Sequence, residues 1–324
     1  KKIKEVLLLT LILATSNLFL NVIKNKDINI SLLNNEKVYI LPEDNKEIYN
    51  FIDKAKKSID ITIYMLSDKD IKNKLINKKN NGLNIRIILE KTPFGGGSIN
   101  YKTYNELTSY GINIKYSNQE FSLTHAKYII IDNNEALIMT SNLTHSGMFN
   151  DRDFVIYEND KNIIGDLVML FNKDFNYEKY STKNDNLIIS PHNSRFKIEQ
   201  LLKSAKDNIK IYAENINDEN ILNILLNKLN NGVKINIIVP ESKKIESNSE
   251  IINKLCSSGA LISYLKKPYQ HAKVLIIDDK IMYVGSINFS RQSMEENREV
   301  GIITINKNNI DKVIETFEKD FKIR

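Results

Sequence analysis

Cysteine is nearly absent from this sequence: Cys256 is the only one among 324 residues. A disulfide within the chain is therefore excluded, and so is a zinc site built on cysteines. Cys256 stands in the largely apolar stretch 251–256 and is expected to be a small core residue. Tryptophan is missing altogether, which removes one common anchor at membrane interfaces. Low-complexity tracts are missing too, and no group of carboxylates, histidines or cysteines stands at metal-ligand spacing. Neither a metal nor a cofactor is expected. The apolar run at residues 6–14 falls short of the roughly 20 residues that a membrane span needs.

What is present fits a globular chain. With 42% hydrophobic residues it can build one large domain or two of about 150 residues. A charged fraction of 27% speaks against a multi-span membrane protein. The net charge of +6 favours phosphate-bearing partners such as nucleic acid or anionic lipid. The abundance of Lys, Asn and Ile throughout would also follow from a skewed base composition, so charge does not choose between them. Near the start, Lys1, Lys2 and Lys4 precede the apolar run, and the small residues Ala14, Thr15 and Ser16 follow it. That is the form of a secretory signal. Leu18, Phe19, Leu20, Val22 and Ile23 could extend it into an uncleaved anchor. Residues 1–26 are thus expected to be a signal peptide or N-terminal membrane anchor, and the protein to be secreted or held in the cell envelope.

The rest of the chain repeats itself. Residues 55–64 and 205–212 each read as a helix end followed by a strand. Helical stretches ending in Asn81-Gly82 and Asn231-Gly232 come next, where glycine suits a left-handed C-cap. A β-rich run follows each, at 83–89 and 233–239, and a further helix ends near Gly111 and Gly259. Strands alternating with helices predict a mostly parallel or mixed α/β sheet in each half. An offset near 150 residues (205 − 55) marks a duplicated domain and not a solenoid. The polar stretch 176–186 is the expected boundary, giving halves at 27–180 and 181–324. The loop 92–98, with Gly95, Gly96 and Gly97, has no counterpart in the second half. It reads either as a lid or as a plain surface loop.

The most informative repeat is His125-Ala126-Lys127 with Asp132, matched by His271-Ala272-Lys273 with Asp278. His and Lys two apart on a strand share a face, while the alanine faces away. Farther on, Thr140 and Asn142 in one copy, and Ser286 and Asn288 in the other, are placed to donate to an anion. Asp153 and Glu299 each lie 28 residues after the histidine of their own copy (153 − 125; 299 − 271). A carboxylate in that role fixes the tautomer of a histidine and raises its basicity. Two lysines and two asparagines suit the charge of a phosphodiester and of its transition state. One histidine can attack phosphorus while the other protonates the leaving oxygen, with no metal required. One copy alone lacks the acid–base partner. His145 and His192 have no counterparts across the repeat and read as surface or loop residues.

This arrangement resembles the phospholipase D superfamily, whose mark is His-x-Lys-(x)4-Asp-(x)6-Gly-Ser-x-Asn in duplicate. The resemblance covers nearly all of the chain after residue 30. Copy two matches in full at His271, Lys273, Asp278, Gly285, Ser286 and Asn288. Copy one matches at His125, Lys127, Asp132 and Asn142, but has Met139 in the Gly place and Thr140 in the Ser place. Met139 is expected to tighten the turn. Asp153 stands where Glu is more usual and is expected to hold His125 less firmly. The resemblance implies duplicated α/β/α sandwich halves related by a pseudo-twofold, with the site at their junction. It also implies that Asp132 and Asp278 serve structure more than chemistry, and that His125 is the nucleophile and His271 the general acid.

The family divides among phospholipid hydrolases, phosphatidyl transferases such as cardiolipin synthases, and nucleases. Cardiolipin synthases of this type usually carry two N-terminal spans, and small endonucleases usually carry one motif and dimerise. Both points favour head-group hydrolysis of phospholipid through a covalent phosphohistidine, on a membrane surface, by a monomer with both motifs in cis. The alternatives are a metal-independent endonuclease acting on nucleic acid, a cardiolipin synthase-like transferase, and a phosphate-binding protein without catalysis.

Overall fold

A computed structural model describes residues 30–33, 35–241 and 248–321. The expected export or anchor segment, residues 1–26, lies outside them. Among the described residues no helix is long and apolar enough to cross a membrane.

The first half folds into strands β1 (Lys37–Leu41), β2 (Ser58–Ile63), β3 (Asn84–Leu89), β4 (Asn113–Tyr116), β5 (Tyr128–Ile131), β6 (Glu135–Met139) and β7 (Asp151–Glu158). The second supplies β8 (Leu187–Ser190), β9 (Asn208–Ala213), β10 (Lys234–Pro240), β11 (Leu261–Leu265), β12 (Tyr269–Gln270), β13 (Lys273–Ile277), β14 (Ile281–Gly285) and β15 (Glu299–Thr304). One sheet runs β1-β7-β6-β5-β2-β3-β4 and the other runs β8-β15-β14-β13-β9-β10-β11, the same order twice. Both are mixed: β2, β3 and β4 pair in parallel, as do β9, β10 and β11, and the remaining pairs along each order are antiparallel.

Strands such as Tyr128–Ile131 are apolar at every position because both sheet faces are covered. Tyr128 and Ile130 enter a central core, while Ile129 and Ile131 enter an outer one. The central core joins the inner faces of both sheets with two helices, Lys161–Phe175 and Lys307–Asp320. The outer cores pack further helices on the far face of each sheet. Helix Ser249–Ser257 buries Ile251, Ile252 and Leu255. Cys256, one residue past Leu255, turns to solvent and is exposed, contrary to the core position expected for it.

The glycine-to-methionine departure in copy one also has a packing cause. A Cβ on Gly285 would lie 2.4 Å from the Cα of Gly301 and 2.7 Å from the Tyr283 hydroxyl. Tyr283 fills that space, and its hydroxyl accepts from the Ile287 amide at 3.0 Å. The same rungs in the first half carry Leu137, Met139 and Val155. Methionine there fills volume that a tyrosine fills in the second half, so it is a core residue and not a turn-tightening one.

Asp132 and Asp278 earn their place through the backbone. Asp132 and Asn133 both adopt positive φ, near 54°, and the Asn134 amide donates to the Ile131 carbonyl at 3.0 Å. That is a type I′ hairpin between β5 and β6. The Asp132 carboxylate accepts from the amides of Lys56, Lys57 and Ser58 at 2.7–2.9 Å, pinning the start of β2. Asp278 does the same for Lys206, Asp207 and Asn208 at 2.7–2.9 Å. Burial opposes the charge on each, but the backbone amides outweigh it and hold both carboxyls below the usual range.

Asp278→Ala should therefore lower unfolding free energy by about 2 kcal/mol while changing kcat less than about threefold. A carboxyl depressed in the folded state contributes stability above its unfolded pKa, and loses it as pH falls through its folded one. The gap between wild type and variant should shrink below about pH 4. Thermal denaturation across pH, with turnover on the same samples, checks this. An unchanged Tm with lost turnover would move Asp278 into the chemistry.

Candidate active site

The two motif segments leave the ends of their sheets at the junction of the halves, and each is stitched to the other half. The amides of His125 and Ala126 both donate to the carbonyl of Arg298, at 2.8 and 3.0 Å. The Arg298 amide returns a bond to Leu123 at 2.8 Å. Symmetrically, β12 pairs in parallel with β7, and the His271 amide reaches the Arg152 carbonyl at 3.3 Å. Each histidine thus lies beside the strand that carries the other copy's carboxylate.

The side chains follow. His125 Nδ1 lies 2.8 Å from Glu299, and His271 Nδ1 lies 2.9 Å from Asp153. The pairing is crossed. The expectation that Asp153 holds His125 is wrong: the equal 28-residue spacing reflects the duplication, not the contact. Ala126 and Ala272 enter the central core, so the His–Lys pairs face away from it as expected. Thr140 and Ser286 were expected to donate to an anion, and they do not. The Thr140 hydroxyl donates to Asp153 and accepts from the Phe154 amide. Ser286 donates to the Val300 carbonyl and helps keep Glu299 ionised. Both hydroxyls steady the carboxylates behind the histidines. Asn142 and Asn288 remain available: neither side-chain oxygen has a protein partner, so each amide can turn its NH2 group to a phosphate.

The two lysines are fully buried. Lys127 donates to its neighbour carbonyl, His125, at 2.7 Å, and Lys273 to that of His271 at 2.5 Å. Burial, and then the charge of Lys273, bring the Lys127 ammonium down to about 7. Lys273 is thus near enough for its charge to act on Lys127. Burial also lowers His125, with Glu299 opposing and Lys127 assisting. A neutral His125 donating Nδ1–H to Glu299 presents a bare Nε2, which is the form a nucleophile needs.

Sequence reasoning missed Glu214. Its carboxylate lies 2.5 Å from Lys273 Nζ and 3.8 Å from His271 Nε2. Burial opposes its charge, but Lys273 and His271 hold it well below the usual carboxylate range. The matching position in the first half is Tyr64, which packs edge-on against His125 with ring centroids 4.7 Å apart. A second break in symmetry sets Asp151 against Asn297. His271 is thus surrounded by Asp153, Glu214 and Asp151, whereas His125 has Glu299, a tyrosine and an amide. Continuing the repeat alignment two residues beyond Tyr212 would have exposed the Tyr64–Glu214 difference.

Folding also gathers Asp151, Asp153 and His271 so that one ligand atom of each lies within 4.8 Å of the others, a cluster with room for a metal ion that linear spacing did not reveal. An ion there would compete with the Asp153–His271 hydrogen bond. His145 is exposed and lies tilted against Phe149, with ring centroids 4.8 Å apart, and His192 is exposed with a 3.3 Å contact to the Thr182 carbonyl. Neither joins the motif histidines. Beside Asp151 opens a cleft of about 970 Å³, lined among others by Met65, Phe94, Phe149, Lys266 and Tyr269.

Comparison with known proteins agrees with this architecture. Residues 48–176 and 198–321 match the sequence family described as "Cardiolipin synthase, PLD-like domain". The chain is 26% identical over 335 residues to a cardiolipin synthase of Clostridium perfringens, covering 86% of this chain and 68% of that protein. In fold it resembles polyphosphate kinase from Porphyromonas gingivalis, with a TM-score of 0.71 at 15% identity, over 89% of this chain and 47% of that one. It thus spans about half of that kinase. It also resembles phosphatidylserine synthase from Haemophilus influenzae, with a TM-score of 0.70 at 12% identity, over 90% and 87%.

The crossed pairing makes a prediction that a within-half pairing does not. Glu299→Gln should disturb the Nδ1 signals of His125 in nitrogen-15 NMR, and Asp153→Asn those of His271. Each should lower kcat by about 10²-fold, the usual order for loss of a histidine's orienting carboxylate. A disturbance confined to the histidine of the same half would contradict the geometry.

Proposed function

Because this chain belongs to the phospholipase D superfamily, we propose that it is a phosphatidyl transferase of the cardiolipin synthase type, working through a covalent phosphohistidine. The observation that carries this is the exchange of carboxylates between the halves, Glu299 on His125 and Asp153 on His271, which supports one site built by both motifs. The matched family description and the cardiolipin synthase of Clostridium perfringens favour an alcohol acceptor over the water acceptor of a head-group hydrolase. Residues 1–26, basic and then apolar, support a place in the cell envelope, and membrane phospholipid is the substrate proposed.

The chemistry follows from the residues. His125 Nε2 attacks phosphorus, and the bond from phosphorus to the leaving alcohol oxygen breaks. His271 gives that oxygen its proton. The lysines and the amides of Asn142 and Asn288 hold the non-bridging oxygens, where negative charge builds. An acceptor hydroxyl then loses its proton to His271 and attacks phosphorus, releasing His125. Glu299 stays ionised throughout and stabilises the cationic phosphoimidazole. Asp153 orients His271 for both proton transfers.

Phosphatidylglycerol vesicles in EDTA test the reading. The expected products are cardiolipin and glycerol in equal amounts. Phosphatidic acid alone would return the assignment to hydrolysis, and nicking of plasmid DNA without lipid turnover would make the chain a nuclease. His271→Ala should keep part of its activity on a substrate with a very good leaving group, while His125→Ala should stay dead.

The pH profile is a second check. For kcat/KM the rate should rise as His125 loses its proton, below its ordinary value of 6.5. It should fall as Lys127 loses its charge, near pH 7. Lys127→Arg should push the alkaline limb upward. A limb left in place by that substitution would remove Lys127 from the profile.

A further inference from the structure

Phe94 is 89% exposed, more than any other large apolar side chain among the described residues. It sits on the glycine-rich connection between β3 and helix Ile99–Ser109. The root of that loop is tied to the site: the Phe94 amide donates to the Tyr64 hydroxyl at 2.6 Å, and Tyr64 packs against His125. Gly95 and Gly97, at φ of 72° and 51°, let the chain turn sharply just past the ring. Phe149, 42% exposed, lines the same cleft. Lys266 and Lys267 stand exposed on its rim, ahead of the strand that leads into His271. Among the described aromatic residues Phe149 touches only the exposed His145 ring, and Lys266 pairs with Glu241 at 3.1 Å while staying at the surface, so two phenyl rings and two ammonium groups face solvent side by side. They match one kind of surface, in which apolar chains lie beneath anionic head groups.

We propose that the rim formed by Phe94, Phe149, Lys266 and Lys267 docks the protein on an anionic phospholipid bilayer. The rings enter the boundary of the acyl chains and the lysines meet head-group phosphates. The cleft beside Asp151, which neighbours His271, then lies over the phosphodiester. The proposal rests on the reading of the substrate as membrane phospholipid, but not on whether the acceptor is alcohol or water.

The test uses the full chain with Cys256→Ser, so that one introduced cysteine carries a bimane dye. The label goes on F94C or F149C, and on Y110C as a control at the far end of helix Ile99–Ser109. Phosphatidylglycerol vesicles should shift the dye at 94 and 149 to the blue, phosphatidylcholine vesicles should do so less, and position 110 should not respond. The unlabelled F94S/F149S variant should show about a tenfold fall in vesicle turnover relative to turnover of water-soluble dihexanoyl phosphatidylglycerol. Absence of a shift at 94 and 149, or the same shift with single-stranded DNA, would overturn the proposal. So would an unaltered turnover ratio. Should wild type turn over no lipid at all, the transferase reading fails, and the dye measurement still decides the docking face.

Discussion

The hydrogen bonds from His125 to Glu299 and from His271 to Asp153 cross between the halves, and neither can form unless each motif segment leaves its own sheet. The backbone makes that crossing obligatory, because the Arg152 and Arg298 carbonyls accept from the histidine amides. The same two arginines anchor the central helices. Arg152 donates to Asp320 at 2.7 Å, and Arg298 lies 3.1 Å from Asp174. Histidine, carboxylate strand and central helix therefore form one connected unit on each side. Burying Lys127 and Lys273 is tolerable only while this unit keeps Glu299, Asp153 and Glu214 beside them.

Symmetry gives the site two imidazoles, and departures from symmetry give them different surroundings. Tyr64 sets an aromatic ring beside His125 where Glu214 sets a carboxylate beside His271. Asp151 against Asn297 adds to the contrast. A neutral, desolvated imidazole suits attack on phosphorus, and one ringed by carboxylates suits repeated gain and loss of a proton. In the proposed mechanism, the exchange of one tyrosine for one glutamate separates two roles that a perfect duplication would leave equivalent.

Much of this was legible in the sequence because a duplication states every structural requirement twice. The apolar runs 128–131 and 273–277, the Asn-Gly helix ends and the two His-x-Lys pairs each recur, so the α/β class and the motif residues could be read from either copy. What recurs, however, says nothing about which copy meets which. The crossed pairing is a property of chain paths through space, and a spacing of 28 residues within each half pointed the wrong way. Glu214 was missed for the opposite reason: it lies where the copies differ, and attention to what repeats passes over it. The hydroxyls of Thr140 and Ser286 were misassigned because strand parity gives a face but not a partner.

A crystal structure of the protein with vanadate, grown in EDTA, bears most directly on the claim that two halves build one phosphoryl-transfer site. Vanadate adopts the five-coordinate geometry of phosphorus under attack. One vanadate should be found bonded to His125 Nε2, with His271 Nε2 within hydrogen-bond distance of the opposite apical oxygen and both lysines on its equatorial oxygens. Two separate anions, one at each His–Lys pair, would contradict it.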